Sequence, residues 1–313
     1  MIKPIHLIPE DTKLNFLLFK NVFLSLSVLV VLISFLSTWV IGLNFGIDFR
    51  GGVLLEIRSK NGIANISELR SSLDKFNLGE VTIQEFGRPG DALVRIQKQE
   101  GDEKNQDTKI NKVKENLTLK YEIRRTEFVG PTVGEELKRN GFWAVVVALF
   151  GILLYIWFRF EWQFALSAIL ALFHDVITTI GLFVFTGLEF NLSTVAAVLT
   201  IAGYSINDTV VVFDRVRENL RKSKSVDQSS IINKSLNETL SRTITTSVTT
   251  LLALLAIYFV GGEVISDFTL AMIWGVMIGT YSSIFVASAI LTFFNLRRTR
   301  EEEKEDLNYF NNE

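Results

Sequence analysis

The stretch "LTIAGYSINDTVVVFDRVREN", Leu199 to Asn219, begins as a membrane helix and ends as a charged surface. Asp208 stands inside its apolar part. A carboxylate in a bilayer interior costs roughly 2.5–3.5 kcal/mol on insertion scales, so the first question is whether this chain crosses a membrane. The chain has 313 residues, 48% of them hydrophobic, and a mean hydropathy of +0.30. About 20 nearly uncharged residues span a bilayer core. Six stretches reach that length: roughly 21–41, 140–158, 162–188, 190–213, 243–262 and 268–295. The third contains His174 and Asp175, the fourth contains only Asp208, and the others hold no charge. The pattern predicts a multi-pass α-helical membrane protein with two acids inside its spans.

Several function classes drop out. A net charge of −2 offers no basic footprint for nucleic acid. The absence of cysteine excludes disulfides, thiolate zinc sites and a cysteine nucleophile. His6 and His174 are the only histidines, so no metal constellation is expected. No nucleophile–base set or cofactor loop is visible, and the chain reads as a non-enzyme without a cofactor. The first apolar run is too long for a signal-peptide core and lacks a small-residue cleavage site after it, which makes it an uncleaved first span.

Lys and Arg near the spans set the orientation. Lys3, Lys13 and Lys20 precede the first span, and Arg159 links the second to the third. Arg215, Arg217, Arg221, Lys222, Lys224, Lys234 and Arg242 lie between the fourth and fifth, and Arg297, Arg298 and Arg300 follow the sixth. Six spans put all of these on one side, the cytoplasmic one. The links near Leu188 and Gly261–Asp267 carry no Lys or Arg and fall outside. The expected layout is a cytoplasmic N-terminus over 1–20, a first span with its exit motif over 21–48, an external domain over 49–139, five further spans over 140–295 and a charged cytoplasmic tail over 296–313.

The external segment alternates in period. Val53, Leu55 and Ile57 read as a strand. Ile66, Leu69, Leu73 and Phe76 have helical spacing, with Asn65 and Glu68 placed for a capping box. "VTIQEFG" and "ALVRIQK" are two short strands around the turn signal "RPGD". Ile110, Val113 and Leu117 mark a second helix, and Tyr121 and Ile123 a last strand. The order βαββαβ predicts a ferredoxin-like α+β domain between the first two spans.

Asp208 is the leading candidate site. Asp is short and reaches the interface poorly. Thr200, Gly203, Tyr204, Ser205 and Asn207 make its helix polar and small, a composition expected at an interhelical seam. Intramembrane acids mark ion or proton relays, against the plainer reading of an acid near a helix end that touches water. Arg242 opens the fifth span in "SRTITTSVTTLLALL" and is placed to serve as the counter-charge, or simply as a positive-inside anchor. Asp175 beside His174 in "ALFHDVITT" reads either as a second polar site or as a structural hydrogen-bonding pair. Gly275, Gly279, Ser283 and Ala287 recur every fourth residue, a close-packing stripe. "GLNFGIDFRGG", residues 42–52, leaves the first span with glycines for a tight backbone and with Asp48 and Arg50 for a polar interface. It lacks the Gly-Lys-Ser/Thr of a phosphate loop.

Together "GLNFGIDFRGG", "EFVGPTVGEEL", "ALFHDVITT", "GYSINDTVVVFDRVREN" and "SRTITTSVTTL", in that order, resemble the SecF members of the SecD/SecF family, membrane subunits of bacterial protein export within the resistance-nodulation-division superfamily. The resemblance implies a chain of the bacterial inner membrane that pairs with SecD and joins the SecYEG translocon, with YajC as a further candidate partner. It implies use of the proton motive force to promote late export of unfolded preproteins. The family's relay aspartate falls on Asp208 and its arginine on Arg242. Asp175, His174, Asn207 and Tyr204 are secondary intramembrane polar candidates. Gly46, Asp48, Gly51 and Gly52 are candidates for seating the external domain. The coupling ion is H+ or Na+. Two rivals remain: a small-molecule exporter of the resistance-nodulation-division type, which the small external segment disfavours, and a structural scaffold of the translocon in which Asp208 only holds helices together.

Overall fold

The computed structural model describes residues 9, 12–60, 62–78, 81–85, 89–97, 103–223, 226–261 and 265–296. His6 and the charged tail over 297–313 lie outside the described residues. Six helices are long and apolar enough to cross a membrane. They are α1 (Lys20–Val40), α5 (Pro131–Arg159), α6 (Trp162–Thr186), α7 (Leu192–Lys222), α8 (Gln228–Val260) and a last composite helix. That last helix consists of α9 (Ser266–Tyr281), a π-helical segment (Ser282–Ala287) and α10 (Ser288–Leu291).

Between α1 and α5 lies the short helix α2 (Ile47–Arg50), followed by β1 (Gly52–Ser59), α3 (Ile66–Asp74), β2 (Val81–Glu85), β3 (Asp91–Gln97), α4 (Glu103–Lys120) and β4 (Tyr121–Val129). The sheet order is β2-β3-β1-β4, with every neighbouring pair antiparallel. This is the βαββαβ arrangement expected from the alternating periods. One face of the sheet buries Val53, Leu55, Ile57, Ala92, Val94 and Ile96 against Leu69 and Leu73 of α3 and Val113 and Leu117 of α4. Each such aliphatic side chain contributes about 1.5–3 kcal/mol relative to exposure. Asn65 caps α3 by accepting the Glu68 amide at 3.1 Å. Pro89 and Gly90 form the turn before β3, while 86–88 lie outside the described residues.

Apolar runs locate the spans but not the helix ends. α5 starts at Pro131, where a missing N–H costs nothing in the first turn. Residues 131–139, read as external domain, are therefore the first turns of the helix that spans. α7 runs past residue 213 and α8 begins before 243, because their extensions form an antiparallel amphipathic pair. Arg215 joins Glu218 at 2.7 Å and Glu238 at 2.6 Å, and Asn219 donates to Ser235 and Glu238. Val216, Ile232, Leu236 and Leu240 are buried beneath them.

In the membrane body, α6, α7 and the last helix each bury 56% of their spanning window, against 11–17% for α1, α5 and α8. The first three are thus the centre. The small-residue stripe works there: a Cβ on Gly275 would lie 2.2 Å from Ile201, and one on Gly279 would lie 3.0 Å from Ser205. So α7 and α9 approach to a distance only glycine allows at position 275. On the charged side, Asn233 and Asn237 of α8 grip the segment before α1. The Leu14 amide donates to Asn237 Oδ1 and the Phe16 amide to Asn233 Oδ1, each at 2.8 Å. Both asparagine amides also donate to the Leu14 carbonyl.

Candidate functional site

Asp208 sits on α7 with 4% of its surface exposed. Its Oδ2 is buried and has no hydrogen-bond partner among the described residues. Tyr204 Oη, one turn away on α7, and Thr243 Oγ1 on α8 are likewise buried and unpaired. Arg242 acts on Asp208 through space, but no ion pair joins them among the described residues, and Arg242 is exposed. The next residue on α7 is bonded: Thr209 shares a hydrogen bond of 2.8 Å with Ser283 of the π segment.

The polar composition of α7 divides between two faces. Ser205, Asp208 and Thr209 point into the body, as a seam requires. Thr200, Gly203 and Asn207 do not: they are exposed, and Tyr204 is half-buried between the two sets. Within this chain these three face no other helix. At spacings of three and four they form one outward stripe. α8 presents a matching stripe, Arg242, Thr245 and Thr249, also exposed.

Asp175 is wholly buried, with three partners. Its Oδ1 meets His174 Nδ1 at 2.8 Å. Its Oδ2 accepts from Ser205 of α7 at 2.5 Å and from Ser282 of the π segment at 2.6 Å. The His174 ring lies against Tyr281, centroids 6.1 Å apart, and Tyr281 Oη pairs with Ser27 of α1 at 2.9 Å. The sequence reading singled out His174 and Asp175 but missed Ser282 and Thr209. The signal available was a pair of adjacent serines inside the last apolar run.

The exit motif of α1 contacts the start of α7 and turns the chain into β1. Asp48 Oδ2 accepts the Leu192 amide at 2.9 Å, at the N-terminus of α7, where exposed N–H groups and the helix dipole favour a carboxylate. The Gly46 amide donates to the Phe190 carbonyl at 2.9 Å, and a Cβ there would press on Asn191 and Glu189 at 3.2 Å. Gly51 has φ +72 and Gly52 φ +133, and a Cβ on Gly52 would stand 2.4 Å from the Ile96 carbonyl oxygen. Only glycine fits that turn into β1. The open face of the sheet lies over the α6–α7 loop and the start of α9 around a cleft of about 510 Å³ whose lining includes Asp48, Glu56, Arg125, Glu127, Glu189 and Asp267. Arg95 of β3 forms an ion pair with Glu189 across it. Burial and the nearby Arg50 charge hold the Arg95 guanidinium below its ordinary range, with Asp267 opposing. No group of three metal-ligating side chains occurs among the described residues.

Comparisons with known proteins agree with this layout. The family described as protein export membrane protein SecD/SecF, C-terminal, matches residues 108–297, and the SecD/SecF GG motif matches 36–63, which contains Gly51 and Gly52. Protein translocase subunit SecF of Rickettsia rickettsii is 44% identical over 95% of this chain and 97% of its own length. SecF of Rhodobacter capsulatus is 44% identical over 98% and 97%. Protein translocase subunit SecDF of Brucella abortus is 43% identical over 94% of this chain but only 39% of its own length. The crystal structure of SecDF from Thermus thermophilus, described as translocon-associated, superposes with TM-score 0.84 at 38% identity, covering 94% of this chain and 40% of that one. The chain thus spans nearly all of the separate SecF relatives, 97% of their length, and about two fifths of the fused SecDF proteins. By these matches and by the fold it shares with them, the chain belongs to the SecD/SecF family of protein export membrane proteins.

Proposed function

We propose that this chain is the SecF-type subunit of the Sec protein translocase accessory complex, coupling the proton motive force to the late export of unfolded preproteins. It lies in a bacterial inner membrane with both termini cytoplasmic and residues 49–139 periplasmic. The lysines and arginines beside the spans support that orientation. SecD is the direct partner, since SecD and SecF are fused in relatives such as the Brucella SecDF. The outward stripes Thr200–Gly203–Asn207 and Arg242–Thr245–Thr249 are the surface it covers, because hydroxyls, an amide and a guanidinium are poor neighbours for lipid tails. SecYEG, and YajC with it, are the wider assembly. The subunit works by moving a polypeptide and not by bond chemistry, and it needs no cofactor. The coupling ion is H+, with Na+ as the alternative.

The observation that carries this reading is the bare Oδ2 of Asp208, buried in a membrane-length helix beside those stripes. A carboxylate used as structural glue has its oxygens bonded, as those of Asp175 are. One left open has room for a proton. Arg242 acts on the ionised form from a distance, so proton binding changes the force between α7 and α8 without first breaking a contact. Each charge crossing the membrane supplies about 2.3 kcal/mol per 100 mV, enough to bias a two-state helix arrangement several-fold. Asp48 and Gly51–Gly52 join that body to the sheet domain, so a shift of α7 is felt outside.

The test is export from inverted membrane vesicles with and without an imposed proton gradient, at matched protein levels. Asp208→Asn should assemble with SecD and lose the gradient-driven part of export. If Asp208→Asn responds to the gradient as the parent does, the relay reading fails and the scaffold reading takes its place.

A further inference from the structure

The three-way bonding of Asp175 leaves a buried acid that the relay itself does not use. We infer that Asp175 is a positioning residue for Asp208, acting through a chain of hydroxyls that clamps α7 to the π segment of the last helix. The inference rests on the reading of Asp208 as the relay acid.

Two links tie the relevant turn of α7 to the π segment, one on each side of Asp208. Ser205, one turn before it, shares the Asp175 Oδ2 with Ser282. Thr209, the residue after it, bonds Ser283. Ser283 also donates to the Ser205 carbonyl at 3.4 Å. Asp175 is the only member of this set that α6 contributes, and it is the acceptor at which the α7 and π-segment hydroxyls meet. Remove it and two buried hydroxyls lose their shared acceptor.

The π segment supports the same reading. π-helical turns are rare and occur mostly as single turns at functional sites. This one begins at Ser282, the residue that bonds Asp175, and contains Ser283, the residue that bonds Thr209. A return to regular α-helix would rotate the residues after the turn by about 100° relative to those before it. The bonds of Ser282 and Ser283 hold the start of that turn against α6 and α7. The carboxylate of Asp175 thus helps to hold the last helix in the register that fixes the turn bearing Asp208. Around the two acids the titratable and charged side chains are His174 of α6, Tyr204 of α7, Arg242 of α8 and Tyr281 of α9. None of them bonds Asp208 Oδ2.

The chain has no cysteine, so Thr209→Cys with Ser283→Cys gives a single reporter pair at the 2.8 Å contact. The full-length protein is oxidised in native membranes and the rate of bridge formation is measured. The pair should bridge readily in the parent background. Adding Asp175→Asn should slow it by about fivefold or more, the size of coupling expected within one hydrogen-bonded network. Ser205→Ala with Ser282→Ala should do the same, and serves if Asp175→Asn accumulates poorly. An unchanged rate in both backgrounds overturns the inference, whatever the export assay reports. In cysteine-free vesicles, the ratio of export with a gradient to export without one should fall by a similar factor in Asp175→Asn. A merely structural defect would lower both values together and leave their ratio, and that result would also overturn it. Ser205→Thr keeps the hydroxyl and should hold the parent ratio; a loss as large as that of Ser205→Ala would contradict the hydroxyl chain. Asp208→Asn is run beside them. Retention of the gradient response in Asp208→Asn contradicts the proposed function, whereas a slowed bridge shows independently that Asp175 sets the α7–π register.

Discussion

The seam around Asp175 and the seam around Asp208 lie one helical turn apart along α7, and they are built on opposite rules. At Asp175 both carboxylate oxygens are bonded: one imidazole and two hydroxyls, from α6, α7 and the π segment, converge on one carboxyl group. At Asp208 one carboxylate oxygen is buried and unpaired among the described residues, as are Tyr204 Oη one turn away on α7 and Thr243 Oγ1 on α8. Buried polar groups are nearly always bonded, so the second seam is the anomaly. It sits where the outward stripes of α7 and α8 begin. The contrast separates two uses of an acid in a membrane. A saturated carboxylate holds helices in register. An unsaturated one keeps capacity for something that arrives.

Substitution by leucine should separate the two most sharply. Asp175→Leu leaves His174, Ser205 and Ser282 facing an apolar group. At about 1–3 kcal/mol for each unsatisfied donor, it should lose several kcal/mol, seen as a large drop in thermal unfolding temperature in detergent. Asp208→Leu removes a group that has no bonds to lose and should unfold at or above the parent temperature. Equal losses at the two positions would break the contrast. A smaller effect is expected between the seams. Gly275→Ala places a methyl group against Ile201, and overpacking of this kind costs about 1–3 kcal/mol. It should lower thermal stability less than Asp175→Leu does, and a neutral result would mean that α7 and α9 are not locked together. The smallest effect belongs to the clamp on the charged side. Asn237→Ala removes three side-chain-to-backbone bonds, two of them to Leu14, and should cost about 1 kcal/mol at this partly exposed site. Hydrogen exchange at Leu14 and Phe16 should rise with little change in global unfolding.

Much of this was legible in the residues, for physical reasons. Apolar run length located six spans because lipid enforces it. The period change from two to 3.6 revealed the βαββαβ order because Leu55, Val94 and Leu117 share one core. Helix ends were less visible. Pro131 and Gln228 start helices in polar sequence, where ion pairs and caps replace hydrophobicity as the signal. The polar residues of α7 were visible, but their sides were not. Thr200, Gly203 and Asn207 differ from Ser205 and Thr209 only by angle around the helix, and the angle means nothing until the neighbouring helices are placed. The π segment was beyond reach for a related reason. The four-residue spacing of small side chains picked out Ser283 and passed over Ser282, and no residue pattern marks where a π turn is inserted. The exposed position of Arg242, without an ion pair to Asp208 among the described residues, follows from the orientation of α8, which no local pattern encodes.

The central claim is that Asp208, and not Asp175, takes up the proton. Infrared difference spectroscopy on the membrane-reconstituted chain tests it most directly, by following the carbonyl stretch of a protonated carboxyl group as pH is stepped from alkaline to acid. The parent should show a protonation band that Asp175→Asn retains, shifted or not, and that Asp208→Asn abolishes. A band that persists unchanged in Asp208→Asn and disappears in Asp175→Asn would contradict the assignment and transfer the relay to the saturated site.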